Sequence, residues 1–371
     1  MPVPVKGPLE AAPTVTVALP ANNDQLDAPY TTPFIKDVRY LGSYDKVEQD
    51  LIIIPGSPRI WTPPSVPFTL KPGKAKANRH HRIDPTARDL HLLFTAVDVM
   101  GSPISWPDVD IISNRRALRL LLSWVHGSRD AFRIDLQPLG ARTLLLCEEK
   151  IDFSHQNPGY GVVFENTATT PMTGTERGLE HSRIIQYDFM GLNMVVRYEA
   201  DARMSTLGRA PDYAPAFTPN ALSPKVTRAG EIVAQEDVIE VKSVTTKGRA
   251  STCPNGKITD ATPQLILSAT QRLHVGLHTA GTFYEVEEHL CDEEALLKDR
   301  TREVGDMRKL QRVLSTLKEM VWRGGVERRL SIVHGKGELT LGLHERISTE
   351  SLLPAAYQER FVQQSVTTLI R

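Results

Sequence analysis

A chain of 371 residues, 40% hydrophobic and 24% charged, can bury a sizeable core as one large domain or two smaller ones, which excludes a disordered or fibrous protein. Lys+Arg and Asp+Glu are both 44, so a surface for a polyanion has to be a local patch and not a global field. The three cysteines, Cys147, Cys253 and Cys291, form no Cys-x-x-Cys pair. This argues against a disulfide framework or a zinc site and fits a reducing compartment. No apolar run is long enough to span a membrane, and the N-terminus lacks a charged region followed by an apolar one. The expected location is therefore intracellular, in nucleus or cytoplasm.

Pro2, Pro4, Pro8, Pro13, Pro20 and Pro29 make the lead-in a mobile or extended segment. Val38–Tyr44 and Leu51–Ile54 read as the first strands. Residues 55–85 form a proline-rich basic stretch with Lys71, Lys74, Lys76, Arg79, His80, His81 and Arg82, read as a solvated surface loop, with a phosphate-facing loop as the alternative. After possible caps at Ser113 and Asn114, Leu118, Leu121 and Leu122 recur at helical spacing, which puts Arg115 and Arg116 in the first turn. There the macrodipole favours anions, and an arginine adds a bidentate fork. Phe132–Leu136 and Thr143–Cys147 predict two strands of a meander. Gly159–Glu165 follows the turn signal Gln156-Asn-Pro-Gly159, and Gly161 would permit close backbone approach. Asn166–Gly178 reads as a loop, Arg183–Met190 as a strand turning near Gly191, and 204–235, with Pro211, Pro215, Pro219 and Pro224, as an insertion.

Met194-Val-Val-Arg-Tyr-Glu-Ala-Asp201 predicts a strand with Glu199 and Asp201 on one face. Val238–Lys242 predicts another, with Glu240 and Lys242 on one face and Ile239 and Val241 on the other. Pairing of the two would crowd three carboxylates and an ammonium into one patch. Two carboxylates ~4 Å apart repel by ~4 kcal/mol at an effective dielectric of ~20. Such a cluster calls for a cation, and hard oxygen ligands favour Mg²⁺ or Mn²⁺. Two solvated strand faces answering each other's charges are the alternative.

Further on, Thr262 is a capping residue with Pro263 opening a helix and Gln264 in its first turn. Val275–His278 and Thr282–Val286 form a hairpin around Ala280-Gly281. Met307, Leu310, Leu314, Leu317 and Val321 give Asp306–Trp322 one buried helical face. Arg329–Val333 and Glu338–His344 form a hairpin around Gly335-Lys-Gly337, and Leu352–Phe361 closes with a short helix. His80, His81 and His126 read as surface residues.

In this order, Arg115, Gly161-Val-Val-Phe-Glu165, Glu199-Ala-Asp201, Glu240-Val-Lys242 and Gln264 resemble the motifs of the DXO family of RNA 5′-end decapping nucleases, a branch of the PD-(D/E)XK nucleases. Leu353-Pro-Ala-Ala-Tyr357 is similar to that family's ending. The resemblance implies an α/β (α+β) fold with mixed β-sheets flanked by helices around a nuclease-like core. It places a flexible proline-rich segment at 1–33 and one large domain at 34–371. It also implies a metal-dependent hydrolase of RNA 5′ ends, acting by decapping, pyrophosphohydrolysis or 5′-3′ trimming. Glu165, Glu199, Asp201 and Glu240, with the main-chain carbonyl of Val241, would hold two divalent ions, Mg²⁺ or Mn²⁺. Lys242 would orient water or neutralise charge, and Arg115 and Gln264 would grip phosphates of a single-stranded RNA 5′ end. A 5′-3′ exoribonuclease is an implied partner, and a non-catalytic supporter of such an enzyme is the competing function. The chain departs from the family where Asn114 stands for a Trp before the Arg, where Thr262-Pro-Gln-Leu265 lacks a Trp, and where Tyr198-Glu-Ala-Asp201 and Gly276-Leu-His278 replace Gly-Glu-Val-Asp and Gly-Phe-Arg.

Overall fold

The computed structural model describes residues 13–21, 30–48, 51–73, 90–149, 158–214, 224–247, 261–297, 300–323, 329–348 and 350–362. In chain order the strands are β1 (Val15–Val17), β2 (Ile35–Glu48), β3 (Leu51–Gly56), β4 (Arg59–Trp61), β5 (Phe68–Thr69) and β6 (Ile111–Asn114). Then come β7 (Phe132–Leu139), β8 (Thr143–Glu148), β9 (Thr169–Thr170), β10 (Glu180–Phe189), β11 (Leu192–Glu199) and β12 (Ala202–Arg203). The last six are β13 (Lys225–Gly230), β14 (Val238–Thr245), β15 (Arg272–Thr279), β16 (Thr282–Leu290), β17 (Leu330–His334) and β18 (Leu341–Glu345). The helices are α1 (Leu90–Met100), α2 (Arg115–Val125), α3 (Gly161–Thr167), α4 (Thr262–Leu267), α5 (Glu293–Leu297), α6 (Thr301–Arg323) and α7 (Ala355–Gln358).

The strands form an eleven-stranded mixed sheet, ordered β1-β18-β17-β7-β8-β6-β11-β10-β2-β3-β13, and a seven-stranded one, ordered β5-β16-β15-β14-β12-β4-β9. The α/β class with mixed sheets flanked by helices is as expected. Strand alternation in the large sheet feeds two cores. Met194, Val196 and Tyr198 of β11, with Ile185 and Tyr187 of β10, join Leu118, Leu121, Leu310 and Leu314 of α2 and α6 on one side. Val195 and Ile184 join Leu93, Phe94 and Val97 of α1, with Tyr357 and Phe361, on the other. A sheet covered on both faces has no wet side, which explains runs such as Leu144-Leu-Leu146.

Several expectations are corrected. Within the lead-in, read as mobile or extended, Val15–Val17 is the extended strand β1, which pairs with β18. The proline-rich insertion contributes β13, which runs parallel to β3 and extends the large sheet's edge. Asn166–Gly178 includes the end of α3 and β9, which pairs with β4. The basic stretch contributes β4 and β5 before Lys74–Arg82, including His80 and His81, passes outside the described residues. The long helix α6 starts at Thr301, ahead of the expected Asp306, and buries the predicted Met307, Leu310, Leu314, Leu317 and Val321. The β15–β16 turn holds Ala280 at φ 49° and Gly281 at φ 90°, two successive left-handed residues that suit a tight hairpin. No described helix is long and apolar enough to cross a membrane.

Candidate active site

The site lies where the chain passes from one sheet to the other. The sequence predicts one strand from Met194 to Asp201 lying beside Val238–Lys242, and the structure divides it. Strand β11 ends at Glu199 within the large sheet, where the Ala200 N–H still donates to the His181 carbonyl at 3.0 Å. Ala202 and Arg203 then pair antiparallel with Ile239 and Val238 of β14 and parallel with Arg59 and Ile60 of β4. Glu199 and Asp201 therefore flank a crossing, and β11 and β14 share no ladder. Beyond Ile239 the β12 side of β14 has no strand partner among the described residues. There the Val241 N–H donates to Asp201 Oδ2 at 2.8 Å, which anchors the carboxylate against the strand carrying Glu240 and Lys242.

Glu240 is buried and holds two cations. Its Oε2 accepts from Arg115 Nη1 at 2.8 Å, and its Oε1 accepts from Lys242 Nζ on the same strand face. Arg115 is the first residue of α2, as the sequence predicts, but its guanidinium turns to Glu240. It also donates to Ser268 Oγ and the Glu199 carbonyl, each at 3.3 Å, and lies 5.4 Å from the centre of the Tyr198 ring. Arg116 points elsewhere, to Glu148 at 3.5 Å, so Arg115 is the one that reaches the site.

Glu165 arrives on α3, a seven-residue helix packed over β14. The buried Phe164 sets its position, with ring centres 4.7 Å from Phe283 and 6.2 Å from Trp61. The close backbone approach expected at Gly161 is not needed, since a Cβ there would meet only Ser243 Oγ at an ordinary 3.9 Å. Gly276 of β15 is the position that requires glycine, because its Cβ would lie 2.4 Å from Phe164 Cζ.

Gln264 sits half-buried on α4. The cap expected at Thr262 falls one residue earlier, at Ala261, with Thr262 and Pro263 inside the helix. The Gln264 carbonyl accepts from Ser268 Oγ at 2.6 Å, so the helix carrying Gln264 is tied to Arg115 through Ser268. His126 is on the surface, paired with Asp306 at 2.6 Å and remote from these groups in role.

The electrostatics divide the carboxyls into two kinds. Burial and the Asp201 charge push Glu165 up to about 8. Burial and the Glu240 charge push Asp201 up to about 6. Loss of water around its carboxyl and the charges of Glu180, Asp201 and Glu165 raise Glu199, an effect that its solvent-exposed side chain weakens. Burial also acts against the Glu240 carboxylate, but Arg115 and Lys242 outweigh it and hold its pKa below the ordinary value. One anion is thus neutralised and three carboxyls repel one another. These hard oxygens, short of positive charge, are the donor chemistry of a divalent cation. Among the described residues no three His, Cys, Asp or Glu side chains are already arranged as a metal cage. Arg115 and Lys242 occupy the two Glu240 oxygens.

Sequence reasoning misses Ser268, Tyr198 and Gln235. Gln235 lies in the proline-rich insertion, yet its amide donates to Tyr198 Oη at 3.0 Å and to the Ser268 and Ala269 carbonyls at 2.9 and 3.1 Å. Its own carbonyl accepts from Arg183 Nε at 2.9 Å. No local pattern marks a residue whose partners come from three distant segments.

A family model described as Domain of unknown function (DUF8563) matches residues 33–361. The chain belongs to this family. No curated protein sequence matches the DUF8563 chain. Its fold is similar to that of Candida albicans Rai1 in complex with pU5-Mn²⁺, with a TM-score of 0.62 and 14% identity over 94% of this chain and 99% of that one. It is similar also to S. pombe Rai1, with a TM-score of 0.58 and 13% identity over 86% and 97% of the two chains. K. lactis Dxo1 in complex with manganese gives a TM-score of 0.56 at 8% identity, over 91% and 98%. The expected resemblance to the DXO decapping nucleases is borne out in the fold.

Proposed function

We propose that this DUF8563 protein is a metal-dependent hydrolase of RNA 5′ ends. The observation that carries the reading is the juxtaposition at the sheet crossing of Asp201, Glu240 and Lys242, in a fold shared with Candida albicans Rai1 in complex with pU5-Mn²⁺. Glu165, Glu199, Asp201 and Glu240, with the Val241 carbonyl, would hold Mg²⁺ or Mn²⁺. When bound, the ions supply charge neutralisation at the phosphate and polarise water.

The chain's own residues do the rest. Asp201 is kept in place by the Val241 N–H, so one acidic oxygen stays fixed against β14. Lys242 keeps its proton, because the pull of Glu240 and Asp201 exceeds the cost of burial, and it can steady the attacking water or the charge growing on the phosphate. Glu165, raised to about 8 by burial and the Asp201 charge, gives up its proton when a divalent ion takes its place, so metal binding and ionisation of this carboxyl go together. Arg115 and Gln264 would orient the RNA end, Arg115 by fixing Glu240 and Ser268 on either side of it. Attack of water on phosphorus then breaks the P–O bond to the leaving nucleotide or cap fragment.

The intact acidic set favours this reading over a non-catalytic partner of a 5′-3′ exoribonuclease, and nucleus and cytoplasm both suit it. Purified protein with Mn²⁺ or Mg²⁺ should release product from at least one of a panel of capped, NAD-capped, triphosphate and monophosphate RNAs. The Glu240→Gln variant should be inactive on the same panel. No release from any 5′ end with either metal would refute the enzyme.

A further inference from the structure

Arg119 lies one helical turn beyond Arg115 on α2, and residues four apart share a helix face. The three arginines of α2 differ in what they hold. Arg115 is committed to Glu240, Ser268 and the Glu199 carbonyl. Arg116 is committed to Glu148. Arg119 is half-buried and within electrostatic reach of Glu240 and Glu148, but among the described residues it forms no ion pair and no side-chain hydrogen bond. Burial and the neighbouring Arg115 charge disfavour its own charge, so the side chain gains from any anion brought to it. Helix α2 also packs directly on α4, which carries Gln264, so the arginines and Gln264 stand on touching helices beside the acidic residues.

We propose that Arg119 is a phosphate-binding residue, holding the phosphate next to the one at the scissile position and so selecting substrates with consecutive phosphates at the 5′ end. The inference rests on the proposed RNA 5′-end reading. It also divides the labour between the arginines: Arg115 is largely consumed in holding Glu240, while Arg119 is the cation open to the incoming chain. A planar guanidinium suits this place, since a fork can engage two oxygens of one phosphate.

The test uses the full chain and a 3′-fluorescein U5 RNA carrying a 5′-monophosphate, read by anisotropy over a salt series, beside the same RNA with a 5′-hydroxyl. Arg119→Ala should weaken binding of the phosphorylated probe about tenfold, the scale of one charge-assisted contact. The slope of log Kd against log salt should shrink by about 0.7, the single-strand value for one lost phosphate contact. Arg119→Lys should recover part of the affinity. Arg323→Ala, at the exposed end of α6, serves as the control for generic charge loss and should leave both quantities unchanged. The thermal midpoint of Arg119→Ala should match wild type or exceed it, because no ion pair is broken. If Arg119→Ala binds and slopes like Arg323→Ala while wild type binds tightly, the role of Arg119 is overturned and the function stands. If wild type binds and cleaves no RNA 5′ end, both are overturned.

Discussion

Arg115 and Glu240 stand 125 residues apart in sequence and form a buried ion pair at 2.8 Å, with side chains 10% and 3% exposed. The pair joins the first residue of a helix on the large sheet to the second strand-face position of a β-strand in the small sheet. It is one of the contacts through which the two sheets share one site, and it gives the first prediction. Arg115→Ala would leave Glu240 buried with Lys242 as its one cation, and breaking a buried pair costs about 3 kcal/mol. Urea unfolding should show that loss. Arg115→Met combined with Glu240→Gln should recover much of it, since neither charge is then stranded. Equal stability of wild type and Arg115→Ala would show that the pair does not join the sheets energetically.

The raised carboxyl values set a pH dependence. Glu165 moves from 4.5 to about 8 and Asp201 from 3.8 to about 6 on folding, so in those windows the folded chain binds more protons than the unfolded one. Stability then falls as pH rises, with the penalty absent below the unfolded values and complete above the folded ones. In EDTA the thermal midpoint should decline from pH 5 to 8, and Glu165→Gln should flatten the decline. Mn²⁺ should raise the midpoint most at pH 8, where the carboxyls are ionised and free to bind it. A stabilisation by Mn²⁺ that is larger at pH 5 than at pH 8 would contradict the charge coupling.

Gly276 supports the site from below. A methyl group there would lie 2.4, 2.5 and 2.9 Å from Cζ, Cε2 and Cε1 of Phe164, a fully buried ring stacked on Phe283. Gly276→Ala should therefore shift α3 and the Glu165 it carries, at a stability cost of about 1–3 kcal/mol. The turnover of RNA should drop by a larger factor than stability explains, and Phe164→Leu in the same chain should restore part of both. Unchanged turnover would mean that α3 tolerates the displacement.

Gln235 binds the Ser268 and Ala269 carbonyls, Tyr198 Oη and Arg183 together. Gln235→Leu removes four polar contacts at about the same size and should cost about 1–3 kcal/mol. Because Ser268 and Tyr198 both touch Arg115, the variant should also raise KM for RNA while kcat falls less. A drop in kcat alone would place Gln235 outside substrate positioning.

The repeated elements are legible because their periods are strong. Leu310, Leu314 and Leu317 face one core at helical spacing, and Val195 and Val196 face opposite cores at strand spacing. Glu240 and Lys242 share a strand face as read. The crossing at Glu199–Ala202 is invisible to periodicity, since alternation continues through Ala200 while the hydrogen-bond partners change from one sheet to the other. Helix α3 is hidden for a related reason. Val162-Val163-Phe164 carries little helical preference, and its seven residues are held in place by Phe164 among rings from β4, β5 and β16. Strand β13 is masked by the prolines around it and exists because β3 offers it a parallel edge. The engagement of Glu240 by Arg115 has no local signal, because it is a contact between distant segments.

The central claim is that acidic side chains from α3, the sheet crossing and β14 receive a common divalent ion. The most direct measurement is the anomalous difference map of a crystal grown with Mn²⁺. The account predicts a manganese peak contacted by the carboxylates of Glu165, Asp201 and Glu240. Manganese bound at another place, or no peak with these three carboxylates facing apart, would contradict it.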